Sequence, residues 1–264
     1  MSFPTVLRPA ATVALNNGVA MPVLGFGTWR MHGSDAYEGV RTALNDGVRL
    51  IDTASMYGNE VEVGRAIRES GLDRKEVFVT TKLWAHEHGR SESKEACRHS
   101  LDRLGLDYVD LYLIHWPSGG RNRETWEGMI ELLEEGLVRS IGVSNFSIED
   151  IGPLVDATGV VPAVDQVEFG PDHHDDRLLE ECTRAGIQLE AYSPLSGTDL
   201  NNPAIVETAR SHRRSPAQVV LRWCLQKGTV PLFKSSHASR IKEDSAVFDF
   251  FLNEGEMERL DRTY

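Results

Sequence analysis

Asp52, Tyr57, Lys82 and His115 are residue types that together could protonate a carbonyl as it is reduced. A tyrosine is a poor proton donor at its ordinary pKa of about 10. A neighbouring ammonium favours the tyrosinate and lowers that value. A carboxylate paired with the lysine would hold the charge in place. A histidine could orient the carbonyl or share in the proton transfer. The four would then form a general acid for a carbonyl becoming an alkoxide. Each residue alone has a plainer reading: Tyr57 as a surface tyrosine in a Gly-Asn loop, His115 as a core histidine, Asp52 as a helix cap. Lys82 could be half of a structural ion pair with Asp52, or a Schiff-base nucleophile in an aldolase-like lyase, which requires it uncharged.

The elements that must position these residues are short apolar runs. VFVTTKLW (77–84) has the composition of a buried strand, yet it contains Lys82. Similar runs are LGFGT (24–28), VRLIDTA (48–54), VDLYLIHW (109–116), VRSIGVSN (138–145), AVDQVEF (163–169), IQLEAYSP (187–194) and TVPLFK (229–234), which makes eight. Helical patterns lie between them, over 35–45, 60–70, 93–104, 124–135, 148–157, 175–185 and 216–227. Several helices stop at glycine, as in NDGVRLI, EEGLVRSI, RAGIQLE and QKGTVPLF. Asn17-Gly18 inside ATVALNNGVAMPVLGFG signals an N-terminal β-hairpin. Alternating strand and helix implies parallel strands with crossover helices. Eight units predict an α/β fold, a (β/α)8 barrel, over a single domain 1–264; a doubly wound open sheet is the alternative. Asp52, Lys82, His115, Ser144, Asn145, Gln166, Tyr192 and Lys234 all fall at the C-terminal ends of strands, the face where a barrel builds its site.

The chain has 264 residues, 41% apolar and 26% charged, with net charge −12. That balance argues against nucleic acid and anionic membranes as partners. No apolar run approaches the roughly 20 residues that span a bilayer. Three scattered cysteines and the absence of a signal-peptide pattern point to reduced thiols in a cytoplasmic protein. A monomer is expected. HEH (86–88) and DHHDD (172–176) have metal-ligand residue types but no third element at suitable spacing. They read as solvated loops, and no metal is expected.

The motifs LNNGVAMPVLGFGTW (15–29), IDTASMYGNEVEVGRAI (51–67), TTKLW (80–84), LIHWP (113–117), RSIGVSNF (139–146), AVDQVEF, AYSPL (191–195) and FKSSHASRIKED (233–244), in this order, resemble the aldo-keto reductase family. GVVPAVDQVEF and SPAQVVLRWCLQKG are most similar to its bacterial 2,5-diketo-gluconate reductase-like branch. The resemblance implies a barrel that reduces aldehydes or ketones with NADPH, without metal or flavin. It makes Tyr57 the general acid, Lys82 and Asp52 its pKa-lowering pair, and His115 the partner that orients the carbonyl. Tyr192 would stack on the nicotinamide, with Ser144, Asn145 and Gln166 on its carboxamide. Gly27, Thr28, Asp52, Ser193, Pro194 and Leu195 would join the cofactor site. Lys234, Ser235, Ser236, His237 and Arg240 would clamp the 2′-phosphate, with Glu243 and Asp244 toward the adenine. Phe26, Trp29, Met56, Trp84, His115 and Trp116 would line the substrate pocket.

Asp244 stands where many members have asparagine, and as a carboxylate it would accept but not donate. The connections after LIHWP and AYSPL are short, and the chain stops at Tyr264, where many members continue into a tail that closes the pocket. An open, permissive pocket is therefore expected. A non-catalytic NADPH-binding sensor is the remaining alternative, since fold does not fix function.

Overall fold

A computed structural model describes residues 11–263. Strands β1 (Thr12–Ala14) and β2 (Ala20–Pro22) pair antiparallel, with Val13 opposite Met21. They form the hairpin expected around Asn17-Gly18. The Asn17 amide donates to the Arg139 carbonyl at 2.9 Å and the Asn16 amide to the Pro162 carbonyl at 2.9 Å. Both acceptors precede barrel strands, so the hairpin covers the end opposite the strand C-termini.

The strands and helices then alternate: β3 (Gly25–Gly27), α1 (Ser34–Asn45), β4 (Leu50–Asp52), α2 (Glu60–Arg68), β5 (Phe78–Leu83), α3 (Arg90–Leu104), β6 (Leu111–Ile114) and α4 (Asn122–Glu134). The second half runs β7 (Ile141–Ser144), α5 (Ile148–Thr158), β8 (Val164–Glu168), α6 (Asp176–Ala185), β9 (Gln188–Tyr192), α7 (Pro203–His212), α8 (Pro216–Gln226) and β10 (Val230–Phe233). Helices α9 (Ala238–Ser245) and α10 (Glu254–Asp261) follow. Strands β3 to β10 form a closed barrel, sealed where β10 pairs parallel with β3 through Leu232 and Gly25. Closure excludes the open sheet. All four glycines expected to stop helices, Gly47, Gly136, Gly186 and Gly228, have φ between 75° and 91°.

Helix α7 was absent from the expected set. Its signal is the pair Asn202-Pro203: the asparagine side chain accepts from the Ala204 amide, and proline occupies the first helical turn. The largest core side chains are Trp126 and Trp223, both fully buried. Each indole N–H is satisfied, by the Val160 carbonyl and by Asp261 respectively; the second bond ties α10 to α8.

Candidate active site

The inside of the barrel holds a charged layer where side chains such as valine and leucine usually pack. Lys82 comes from β5 and Asp52 from the end of β4. Lys82 is wholly buried, and its Nζ lies 2.7 Å from each Asp52 carboxylate oxygen. The same ammonium donates to the Thr53 carbonyl at 3.0 Å and to the Tyr57 hydroxyl at 3.3 Å. Its three protons are thereby committed. Burial alone would push the Lys82 pKa down, but Asp52, reinforced by Tyr57, more than offsets this and raises it. The lysine stays charged, which is the wrong state for a Schiff-base nucleophile.

Tyr57 sits in a 3-10 turn, Ser55–Tyr57, between β4 and α2. Burial is the largest influence on its hydroxyl and raises the pKa; Lys82 pulls it down and Asp52 pushes it up again. The net direction is upward. Lys82 does pull it down, as expected, but burial outweighs that pull, so the phenol is not made unusually acidic. The tyrosine is consequently held protonated, as a proton donor must be.

His115, just past β6, lies edge-on to Tyr57, with ring centres 5.7 Å apart, and to Trp84 at 4.9 Å. Burial, and then the Lys82 charge, lower its pKa to about 3. It is a neutral imidazole at neutral pH, a form suited to orienting a carbonyl.

Three residues that the sequence reading passed over hold this group together. Asn59 is buried and donates to the Thr28 and Met31 carbonyls at 2.9 Å each, while accepting from the Thr53 hydroxyl at 2.7 Å. It stitches the loop after β3 to the loop that presents Tyr57. Glu87 accepts from the Ser55 hydroxyl at 2.8 Å and the Trp84 amide at 2.6 Å, fastening that turn to the end of β5. Glu190, on β9, is wholly buried and accepts from the Gln166 amide nitrogen at 2.6 Å. Its signal was a charge inside the apolar run IQLEAYSP, the same anomaly that exposed Lys82.

The rim beyond His115 is tied across three strands. Tyr192 donates its hydroxyl to the Asn145 side-chain oxygen at 2.9 Å. The Asn145 amide donates to the His115 carbonyl and the Ser144 hydroxyl, each at 3.0 Å. Ser144 donates to the Gln166 carbonyl at 2.7 Å. Asn145 and Ser193 both have left-handed backbones, φ 61° and 54°. Such a conformation in serine costs roughly 1–3 kcal/mol, and strain of this kind gathers at functional sites. Gln166 spends its amide nitrogen on two acceptors, Asp52 at 2.9 Å and Glu190. That fixes the amide's orientation and leaves its oxygen without a protein partner among the described residues. Thr28 is fully buried, and its hydroxyl donates to the Asp52 carbonyl at 3.0 Å, so it serves the backbone of the acid pair.

Past β10, Lys234, Ser236, His237 and Arg240 are exposed around the start of α9, with Ser235 buried beneath them. Neither Lys234 nor Arg240 is paired with a carboxylate among the described residues, although the chain carries net charge −12. Gln218 on α8 anchors the helix by donating to the Glu243 and Ala246 carbonyls at 3.0 and 2.8 Å. Two bare cations, serine hydroxyls and a helix start fit a phosphate. Burial, and then Glu243, push the Asp244 pKa up to about 7 against the pull of Arg240. A carboxyl raised to about 7 is partly protonated at neutral pH, and that form can donate as well as accept.

Around the catalytic group, Trp29 stands 4.8 Å from Tyr57, centre to centre. Trp29 and Trp116 are 42% and 45% exposed, so the mouth is open. Trp116, Asn145 and Tyr192 border a cavity of about 600 Å³; Met56 and Trp84 border another of about 480 Å³. Phe26 does not belong with them. It is fully buried against Phe233, 5.6 Å between ring centres, and faces Gly39 of α1. A strand residue facing the helix layer cannot also face the mouth.

The two histidine-rich stretches are not both solvated loops. His88 is buried between the Thr125 hydroxyl at 3.0 Å and the Trp116 carbonyl at 3.1 Å, and burial lowers its pKa. His174 packs on Trp223 and Phe169, while His173 is exposed. Among the described residues no group of three or more His, Cys, Asp or Glu could hold a metal ion, and no helix is long and apolar enough to cross a membrane.

A model of the Aldo/keto reductase family matches residues 23–264. A glyoxal reductase of Bacillus subtilis is 44% identical over 261 residues, covering 98% of this chain and 94% of its own. The crystal structure of an aldo/keto reductase from Brucella melitensis superposes with TM-score 0.93 at 42% identity, over 97% of this chain and 100% of that one. A Bombyx mori aldo-keto reductase solved in complex with NADP superposes with TM-score 0.91 at 34% identity, over 96% and 92% of the two chains.

Proposed function

The chain belongs to the aldo/keto reductase family, and from that premise we propose that Tyr57 protonates the carbonyl oxygen of the substrate it reduces. The enzyme is an NADPH-dependent carbonyl reductase. NADPH, when bound, supplies the hydride that adds to the carbonyl carbon. The phenol O–H of Tyr57 breaks, its proton goes to the carbonyl oxygen, and an alcohol results. The phenolate left behind lies against the Lys82 ammonium, which Asp52 keeps charged. His115, as a neutral imidazole, positions the carbonyl oxygen beside Tyr57. The observation that carries this reading is the Lys82 ammonium bonded at once to Asp52 and to Tyr57.

The rest of the cofactor reading rests on fit. Tyr192 offers a ring at the rim, and Gln166 offers an unpartnered amide oxygen to the carboxamide. Lys234 and Arg240 offer unpaired charge to the 2′-phosphate, in line with the NADP complex of the Bombyx mori relative. Substrates are small aldehydes and ketones with loose discrimination, supported by the exposed Trp29 and Trp116 and by the glyoxal reductase relative. A monomer accords with the exposed large apolar side chains of the described residues: Trp29, Val61, Trp116 and Phe251, two of them at the mouth.

The test is NADPH oxidation with small aldehydes by wild type and Tyr57→Phe. Loss of general-acid catalysis should lower turnover by about 100-fold or more. Cofactor binding, followed by quenching of protein fluorescence, should be unchanged. Near-normal turnover of the variant would remove Tyr57 from the role.

A further inference from the structure

Glu190 has no part in the steps above, yet it lies at the bottom of the same network. It is wholly buried inside the barrel, and its Oε2 shares the Gln166 amide nitrogen with Asp52. Its Oε1 has no partner among the described residues. A wholly buried ionised carboxylate with one neutral protein donor is unfavourable, whereas a protonated carboxyl loses far less hydration. The groups acting on it are Asp52 from β4, Lys82 from β5 and Tyr57 from the turn after β4. From β8 it meets the uncharged Gln166, and β10, its other neighbour, offers only Val230, Pro231, Leu232 and Phe233. Two carboxyls thus face one ammonium. Asp52 holds both of its close bonds, so Glu190 is the one left neutral.

We propose that Glu190 is a positioning residue for the proton transfer: neutral, it holds Asp52 in register through the Gln166 amide, and ionised, it opposes departure of the Tyr57 proton and slows reduction at alkaline pH. This rests on Tyr57 being the acid. Burial, then the Asp52 charge, push Glu190 up to about 8, with Gln166 and Lys82 opposing. With Glu190 neutral, loss of the Tyr57 proton leaves one net negative charge on the four groups. With Glu190 ionised it leaves two. One such interaction at an effective dielectric near 20 is worth on the order of one pKa unit, about tenfold in rate.

The experiment is the pH dependence of single-turnover reduction, with NADPH and aldehyde both saturating, in wild type and Glu190→Gln. Wild type should fall about tenfold through an inflection near pH 8. Glu190→Gln, which keeps a neutral acceptor for the Gln166 amide at all pH values, should lack that inflection. The same inflection in both proteins, or none in wild type, overturns the proposal. Should the variant fail to fold, wild type labelled with ¹³C at its glutamate carboxyls decides. One glutamate resonance titrating near pH 8 supports the proposal, and none doing so overturns it. That resonance does not depend on what Tyr57→Phe does to turnover, so failure of the acid assignment and failure of this one are separable.

Discussion

On the proposed mechanism Lys82 has two tasks, holding a charge inside a barrel and lending it to a phenol. They can be separated because they need different partners. Stability needs Asp52 compensated; chemistry needs an ammonium beside Tyr57. Lys82→Met removes the only cation touching Asp52 among the described residues and leaves a buried, unpaired carboxylate. Breaking a buried pair in this way costs about 3–5 kcal/mol. Asp52→Asn combined with Lys82→Met removes both charges, so urea denaturation should find the double variant more stable than Lys82→Met alone. Turnover should be lost in both. If the two variants unfold at the same urea concentration, the pair is not what steadies this layer.

Elements were legible where punctuation was strong. Helix-stopping glycines marked the entry to four strands, those of Asp52, Asn145, Tyr192 and Lys234, and the apolar runs themselves placed Lys82, His115 and Gln166 on the same face. Tyr57 followed because its loop begins at Asp52. Facing direction was less legible. Phe26 was read as a pocket-lining residue, but strand alternation turns it toward α1, and no local feature of GFG reveals which way. Asn59 and Glu87 were invisible because their work is between loops distant in sequence. Helix packing was equally hidden. Gly64 on α2 meets the backbone of α3, where a Cβ would overlap the Leu104 carbonyl, and Arg68 of the same helix donates to that carbonyl. The obstacle is backbone, so it cannot rotate away. Gly64→Ala should destabilise the fold by about 1–3 kcal/mol despite its better helix propensity. Chemical denaturation measures this; a stabilised Gly64→Ala would mean that α2 moves off α3 at little cost.

At the scale of the whole molecule, the buried acids make stability depend on pH. Asp165 is raised well above the ordinary range by burial, Glu190 to about 8 and Asp244 to about 7. Their unfolded values lie near 4. Between those limits the folded chain binds more protons than the unfolded one, so stability declines as pH rises. His88 and His115 act oppositely: burial lowers both, so the unfolded chain binds the extra protons below about 6.5 and stability there rises with pH. From about pH 5 to 6.5 the two contributions oppose one another and the midpoint should stay nearly level. Above about pH 7.5 the histidines are neutral in both states and only the carboxyls remain. The thermal midpoint of the cofactor-free protein should therefore fall by about 5 °C or more between pH 6.5 and 9. Glu190→Gln should show a smaller fall over the same interval, because an amide releases no proton when the chain unfolds. Calorimetry on both proteins without NADPH makes the comparison. A wild-type midpoint that stays level to pH 9 would mean these carboxyls ionise inside the fold as readily as outside it.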